Sequence, residues 1–306
     1  MSRFFISGLI NIETSVAIDA FPLDYFPVRY PFYGLQTRVS GVGFNIAKAL
    51  CVLGNNVDFA SLIGRDDHGF LVLKTLEEAG IPQDLVLDAL DETPQSVILY
   101  DPEGRRQIHV DLKDIQDRVF PIFRVQKVIQ ACDLAVICNI NFARPLLRLA
   151  REAGKWIATD VHALFNFEDA FNREYMENAH ILFLSDEALP DTPEVCAEHL
   201  MGRYGSEIVV IGLGSKGALL AVREDNEMKR FKPIHTRPVV NTIGAGDALF
   251  SAFIDCYWRT KDPYMAMRAA MVFASYKIGA KSAAEGFLTS EELNMWGSRI
   301  TNAGSD

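Results

Sequence analysis

Along this chain, short apolar runs of strand length alternate with stretches whose apolar residues recur at helical spacing. The strand-length runs lie at 4–10, 57–62, 134–138, 156–159, 181–184 and 208–211, and helical patterns occupy 45–53, 69–79, 144–153 and 194–204. Continuous apolar runs suit strands that are buried on both faces, as in a parallel sheet covered by helices. The alternation therefore predicts an α/β fold of three layers, α-β-α, around a mostly parallel central sheet. The last third turns helical, at 245–258, 263–278 and 290–300. A chain of 306 residues can bury a large core. No internal repeat, low-complexity tract or linker divides it, so a single domain over 1–306 is expected.

Two stretches break the alternation. Residues 11–40 are rich in Pro, Tyr and Phe and carry no helical period. Residues 95–111 read as a hairpin, with Asp101-Pro102-Glu103-Gly104 as its turn. Excursions of this kind from a doubly wound core form lids or cover sheet edges, and together these two predict a small β-sheet lid.

Composition narrows the function classes. A net charge of -10 argues against a nucleic-acid partner, which needs basic surface. A local basic pocket for a small anionic substrate remains compatible with it. Cys51, Cys132, Cys138, Cys196 and Cys256 are scattered without a CxxC pair, as expected of reduced thiols in a cytoplasmic protein. The opening apolar run is too short for a signal peptide, and no run is long enough for a membrane span.

The most informative motif is Asn241-Thr242-Ile243-Gly244-Ala245-Gly246-Asp247, followed at once by an apolar helical pattern. Backbone N–H groups at a helix start lack partners, and the helix dipole favours an anion there. Gly244, Ala245 and Gly246 thus form a candidate anion hole. Asp247 either caps the helix or takes a proton from a hydroxyl that attacks a phosphate held by those N–H groups.

Other motifs carry less. Gly212-Leu213-Gly214-Ser215-Lys216-Gly217 matches a dinucleotide pattern, yet 218–222 reads as a strand where a Rossmann site needs a helix. Asn45, after Ser40-Gly41-Val42-Gly43-Phe44, is either a helix cap or a ligand beside a backbone that glycines let approach closely. Arg105 and Arg106 near the hairpin tip read as solvated surface, or as a fork for a phosphate. Asp160 and His162 follow a strand end. No nucleophile elbow accompanies them, and no further His or Cys makes a metal cluster, so His162 reads as a loop or packing residue.

Taken together, the Ser40–Asn45 glycine segment, the 212–217 loop and the Gly-Ala-Gly-Asp segment resemble the ribokinase-like (PfkB-type) carbohydrate and nucleoside kinases along essentially the whole chain. The resemblance implies a phosphotransferase that passes the γ-phosphate of ATP to an alcohol group of a sugar or sugar derivative. It places the general base on Asp247 and the anion hole on Gly244, Ala245 and Gly246. Substrate hydroxyls fall to Asn11, Glu13, Gly41 and Asn45, with Ser40 in place of the family's first glycine and Glu13 in place of its Asp. ATP contacts fall to Ser185, Gly212, Gly214, Ser215, Gly217 and Thr242.

Two positions depart from the pattern. The family's Asn-x-x-Glu, which serves Mg²⁺ and phosphates, is Ser185-Asp186-Glu187-Ala188 here, so Asp186 or Glu187 has to serve Mg²⁺ through water. The family's leading Asp, linked there to a monovalent-cation site, is Asn241, which leaves dependence on K⁺ open. Two alternatives to a sugar kinase stand at this point. One is a nucleoside kinase of adenosine or inosine type, with the Phe and Tyr residues of 21–33 stacking on a base. The other is a catalytically weak nucleotide-binding regulator. The same aromatics also offer the contact for a homodimer through the lid.

Overall fold

The computed structural model describes residues 1–303. The strands, in chain order, are β1 (Arg3–Ser7), β2 (Asn11–Ala17), β3 (Leu35–Ser40), β4 (Asn56–Gly64), β5 (Val86–Leu90), β6 (Gln95–Tyr100), β7 (Arg106–Asp111), β8 (Leu134–Ile137), β9 (Trp156–Asp160), β10 (Ile181–Ser185), β11 (Ile208–Gly212), β12 (Ala218–Val222) and β13 (Glu227–Phe231). The helices are α1 (Val42–Val52), α2 (Asp67–Glu78), α3 (Ile122–Ala131), α4 (Arg144–Glu152), α5 (Arg173–Asn178), α6 (Pro193–Tyr204), α7 (Ala245–Thr260), α8 (Pro263–Lys277) and α9 (Ser290–Ala303).

Nine strands form the large sheet in the order β13-β12-β11-β10-β9-β8-β1-β4-β5. Every pairing from β11 to β5 is parallel, and β12 and β13 add antiparallel at one edge. Strand alternation divides the core between the two faces. Phe4 and Ile6 of β1 pack in one cluster with α1, α7 and α8, while Phe5 between them packs in the other with α3, α4 and α6. Both faces are apolar, as the continuous runs require. The chain runs from β1 to β4 and β5 on one side and then returns to β8 on the other. This reversal makes a crevice at the carboxyl end of β1, the usual ligand position in open α/β sheets.

The second sheet has the order β3-β2-β6-β7 and joins the two excursions expected to form a lid. β2 and β6 pair in parallel from Ile12↔Gln95 to Ala17↔Tyr100, and β7 is exposed along its whole length. β5, α3, α5 and β13 are elements beyond those the sequence pattern brought out. In α3 only Val125 and Ile129 are buried, a stripe too narrow to stand out.

α1 starts at Val42, earlier than the periodicity places it, with Gly41 as its cap residue. The reason is a backbone crossing at the end of β1. A Cβ on Gly43 would lie 2.5 Å from the Gly8 carbonyl carbon, and one on Gly8 would lie 2.8 Å from Gly43 Cα. Two glycines facing each other let the helix start press against the strand end, and this fixes where α1 delivers Asn45. Gly43→Ala forces these backbones apart, and we expect it to cost about 1–3 kcal/mol, the range for overpacking a closed contact. Urea unfolding measures this, and a midpoint equal to the parent's would contradict the crossing.

Candidate active site

The two glycine segments meet across the sheet face. α1 and α7 pack side by side, and Asn45 Nδ2 donates to Asp247 Oδ2 at 2.7 Å between buried side chains. Asn45 lies one turn inside its helix, so it is not a cap. Its Oδ1 accepts from Ser40 Oγ at 3.4 Å, which orients the amide with its N–H₂ toward Asp247. Asp247 Oδ1 has no hydrogen-bond partner among the described residues.

Asp247 stands in the first turn of α7, as the motif predicts. The helix is seated from behind by Phe250 and Phe253, which meet the Phe183 ring of β10 edge-on at 4.9 and 5.3 Å. Gly244 caps it in the left-handed region, φ 74°, where a Cβ would also lie 2.8 Å from Ala283 O. The anion-hole expectation needs one correction. Ala245 N–H donates to Thr242 O at 3.2 Å, because the turn through Gly244 closes on that carbonyl. The N–H groups of Gly244, Gly246 and Asp247 have no partner among the described residues. A Cβ built on Gly246 meets nothing within 4 Å, so open space lies before this turn.

Charged side chains lie near Asp247. Glu13 projects from β2 and is buried; burial raises its carboxyl pKa, against the Ser40 hydroxyl and the Lys277 charge. Burial likewise raises Asp247, opposed by the Asn45 hydrogen bond and by His162 and Lys277. Lys277, at the end of α8, is fully buried and donates through Nζ to Ile243 O. Burial pushes its ammonium down to about 8, partly offset by Asp247 and Glu13. The sequence reading missed Lys277. A lone lysine in the last turn of a helix reads as a dipole partner, and no local pattern marks it otherwise.

Arg106, which sequence alone leaves between surface and function, reaches the site from β7. Its Nη1 donates to Thr242 O at 3.1 Å and its Nη2 lies 3.4 Å from Glu187 Oε1. Arg105 instead pairs with Asp101 Oδ2 at 2.7 Å within the hairpin turn. His162 has φ 60° in the loop after β9, and its N–H donates to Asp160 Oδ1 at 2.8 Å. Asn11, at the base of the lid, donates Nδ2 to Ser96 Oγ at 3.0 Å.

The nucleotide-side candidates cluster at the carboxyl ends of β10 and β11. Ser185 pairs in register with Gly212, and Asp186 N–H donates to Gly212 O at 2.9 Å. Gly214 and Ser215 lie in a tight turn, and Gly217 leads into antiparallel β12. A strand follows this loop, which removes the dinucleotide reading as the sequence context predicts. Among the described residues no group of three or more His, Cys, Asp or Glu gathers around one point. Asp186 and Glu187, the acids expected to serve Mg²⁺ through water, follow the end of β10, and Glu187 Oε1 lies 3.4 Å from Arg106 Nη2.

Comparison with known proteins agrees with this architecture. Residues 26–290 match the pfkB family carbohydrate kinase description. The chain is 26% identical over 251 residues to the acarbose 7(IV)-phosphotransferase of an Actinoplanes species, covering 81% of this chain and 82% of that one. A solved structure of a microbiome-derived acarbose kinase superposes with a TM-score of 0.87 at 26% identity, covering 97% and 99% of the two chains. Ribokinase from Giardia lamblia superposes with a TM-score of 0.84 at 16% identity over 98% and 99%, a likeness of fold. The chain belongs to the pfkB family of carbohydrate kinases, ribokinase-like phosphotransferases that use ATP and an alcohol acceptor.

Proposed function

We propose that this kinase phosphorylates a hydroxyl of a sugar or sugar derivative with Asp247 as general base. The observation that carries this reading is the Asn45–Asp247 hydrogen bond at 2.7 Å. It engages Oδ2 and leaves Oδ1 without a hydrogen-bond partner among the described residues. The acceptor hydroxyl gives its proton to Oδ1. Its oxygen then bonds to the γ-phosphorus as the bond to the β,γ-bridging oxygen breaks and ADP leaves. The N–H groups of Gly244, Gly246 and Asp247, with the α7 dipole, hold the charge on the transferring phosphoryl oxygens.

Glu13, Asn11, Gly41 and Asn45 orient the acceptor's hydroxyls, and the lid excludes water that would compete as acceptor. Ser185, Thr242 and the loop of Gly212, Gly214, Ser215 and Gly217 contact ATP. Mg²⁺ held through water by Asp186 would neutralise charge on the ATP phosphates. A sugar-like acceptor is supported by the names of two relatives at 26% identity, each an acarbose kinase or phosphotransferase. A nucleoside is the second reading. It is supported by the exposed rings of Tyr30 and Phe32, stacked with centroids 6.2 Å apart on the loop between β2 and β3. That loop also supports a homodimer contact through the lid.

ADP release measured over a panel of sugars and nucleosides separates the two acceptor classes. With the best acceptor, Asp247→Asn should lower kcat by about 10²–10⁴ with little change in ATP affinity. Turnover like the parent's would remove Asp247 as base. The same substitution should raise the melting temperature at pH 8. A carboxyl whose folded pKa is raised binds its proton more tightly in the native state, so stability falls as pH rises above the ordinary carboxylate value of about 4 and through the raised one. For the same reason the acid limb of the kcat profile should lie above the ordinary carboxylate range, and a limb within that range would contradict the burial argument. Asp186→Ala should raise the Mg²⁺ concentration for half-maximal rate, whereas Glu187→Ala, whose carboxylate already faces Arg106, should change it little. Equal dependence in both variants and the parent would leave the segment without a metal role.

A further inference from the structure

The turn that precedes α7 is held by its carbonyl oxygens. Thr242 O accepts from Arg106 Nη1 at 3.1 Å, and the next carbonyl, Ile243 O, accepts from the Lys277 ammonium. In a trans peptide the C=O of one residue and the N–H of the next point in opposite directions. Fixing the Ile243 carbonyl on Lys277 therefore aims the Gly244 N–H the other way, away from the Lys277 ammonium. The rest of the segment is clamped to the end of α8. Val240 and Asn241 N–H both donate to Ile278 O, at 2.8 and 3.0 Å.

The resemblance links position 241 to a monovalent-cation site, and the residues present do not fit one. Asn241 brings no charge, and both ends of its amide are engaged. Oδ1 accepts from Ile243 N at 2.8 Å, and Nδ2 donates to Lys281 O at 3.1 Å. The carbonyl two residues on already holds an ammonium group. The charges facing Lys277 come from four segments: Glu13 of β2, Asp247 of α7, Arg106 of β7 and Glu285 after α8.

We propose that Lys277 is a tethered substitute for a monovalent cation: its ammonium fixes the Ile243 carbonyl, aims the Gly244 N–H at the transferring phosphoryl group, and frees the enzyme from potassium. Lys277 is thus a positioning residue that acts through the backbone. The inference rests on the reading of 244–247 as the phosphoryl site.

The test compares KCl, NaCl and choline chloride at equal ionic strength, with two readouts on the parent protein, kcat and the Kd for ADP by calorimetry. Both should agree within about twofold across the salts. A kcat more than about threefold higher in potassium than in choline overturns the inference and leaves the assignment of Asp247 standing. If no acceptor on the panel turns over, the proposed function fails, and the ADP arm still decides: tighter binding in potassium overturns the inference, and equal binding supports it. Lys277→Met should lower kcat by about 10–10², and ammonium or potassium ions should restore part of it. Its acid limb should also move to higher pH, because Asp247 keeps Asn45, His162 and Asp160 as neighbours but loses the ammonium. A Lys277→Met enzyme with the parent kcat and acid limb overturns the assignment. Should this variant fail to fold, the salt comparison on the parent remains decisive.

Discussion

An ionisable carboxylate buried at the first turn of α7 is the constraint that the other parts of the site satisfy. An isolated carboxylate in such surroundings takes up a proton instead of bearing charge. Asp247 is offered compensation by three helices, besides His162 in the loop after β9. α7 gives the positive end of its dipole, α1 gives the Asn45 amide at 2.7 Å, and α8 gives the Lys277 ammonium nearby. A hydrogen bond to a charged group is worth about 1.5–3 kcal/mol. Burial still outweighs these contributions in direction, since the Asp247 pKa remains raised. That balance suits a base that must both hold charge and accept a proton.

The large sheet exists, from the site's point of view, to bring these three elements together. β1 is followed at once by Gly8, against which α1 starts, so the strand end sets the height of Asn45. Phe183 on β10 receives Phe250 and Phe253 and sets the position of α7. The site's two halves are separated by 202 positions in sequence, yet both pack on the same face of the large sheet. Errors in packing on that sheet face would be felt directly as errors in the Asn45–Asp247 distance.

What was legible in the sequence was what local physics determines. The parallel strands stand out because both of their faces are buried, and the start of α7 stands out because Gly244 at φ 74° leaves little choice of residue. The 212–217 loop was separable from a dinucleotide site because 218–222 has strand character. The illegible parts depend on partners distant in sequence. Whether Asn45 caps a helix or holds a carboxylate is decided by Asp247. Whether Ala245 N–H is free is decided by how the turn closes on Thr242 O. Lys277 looks like an ordinary helix-end lysine until α8 places it beneath Ile243. Arg106 looks like hairpin surface until the lid lies over the site.

The lid contributes charge as well as cover. It brings one group of each sign to the site, Glu13 from β2 near Lys277 and Asp247, and Arg106 from β7 onto Thr242 O. Glu13 adds a second buried carboxylate near Asp247, and by itself that would push both toward the neutral form. Lys277 lies near enough to lower both. One ammonium thus balances two carboxylates that come from different sheets and helices, while its own hydrogen bond is spent on a carbonyl of the turn. A diffusible ion in that place would have to be selected and retained at every turnover. A lysine on the last turn of α8 is supplied once, by folding, at the cost of burying an ammonium whose pKa falls to about 8. This ties the stability of the α8 end to the charge state of the acceptor site, because neither carboxylate can lose its partner without the other also shifting toward protonation.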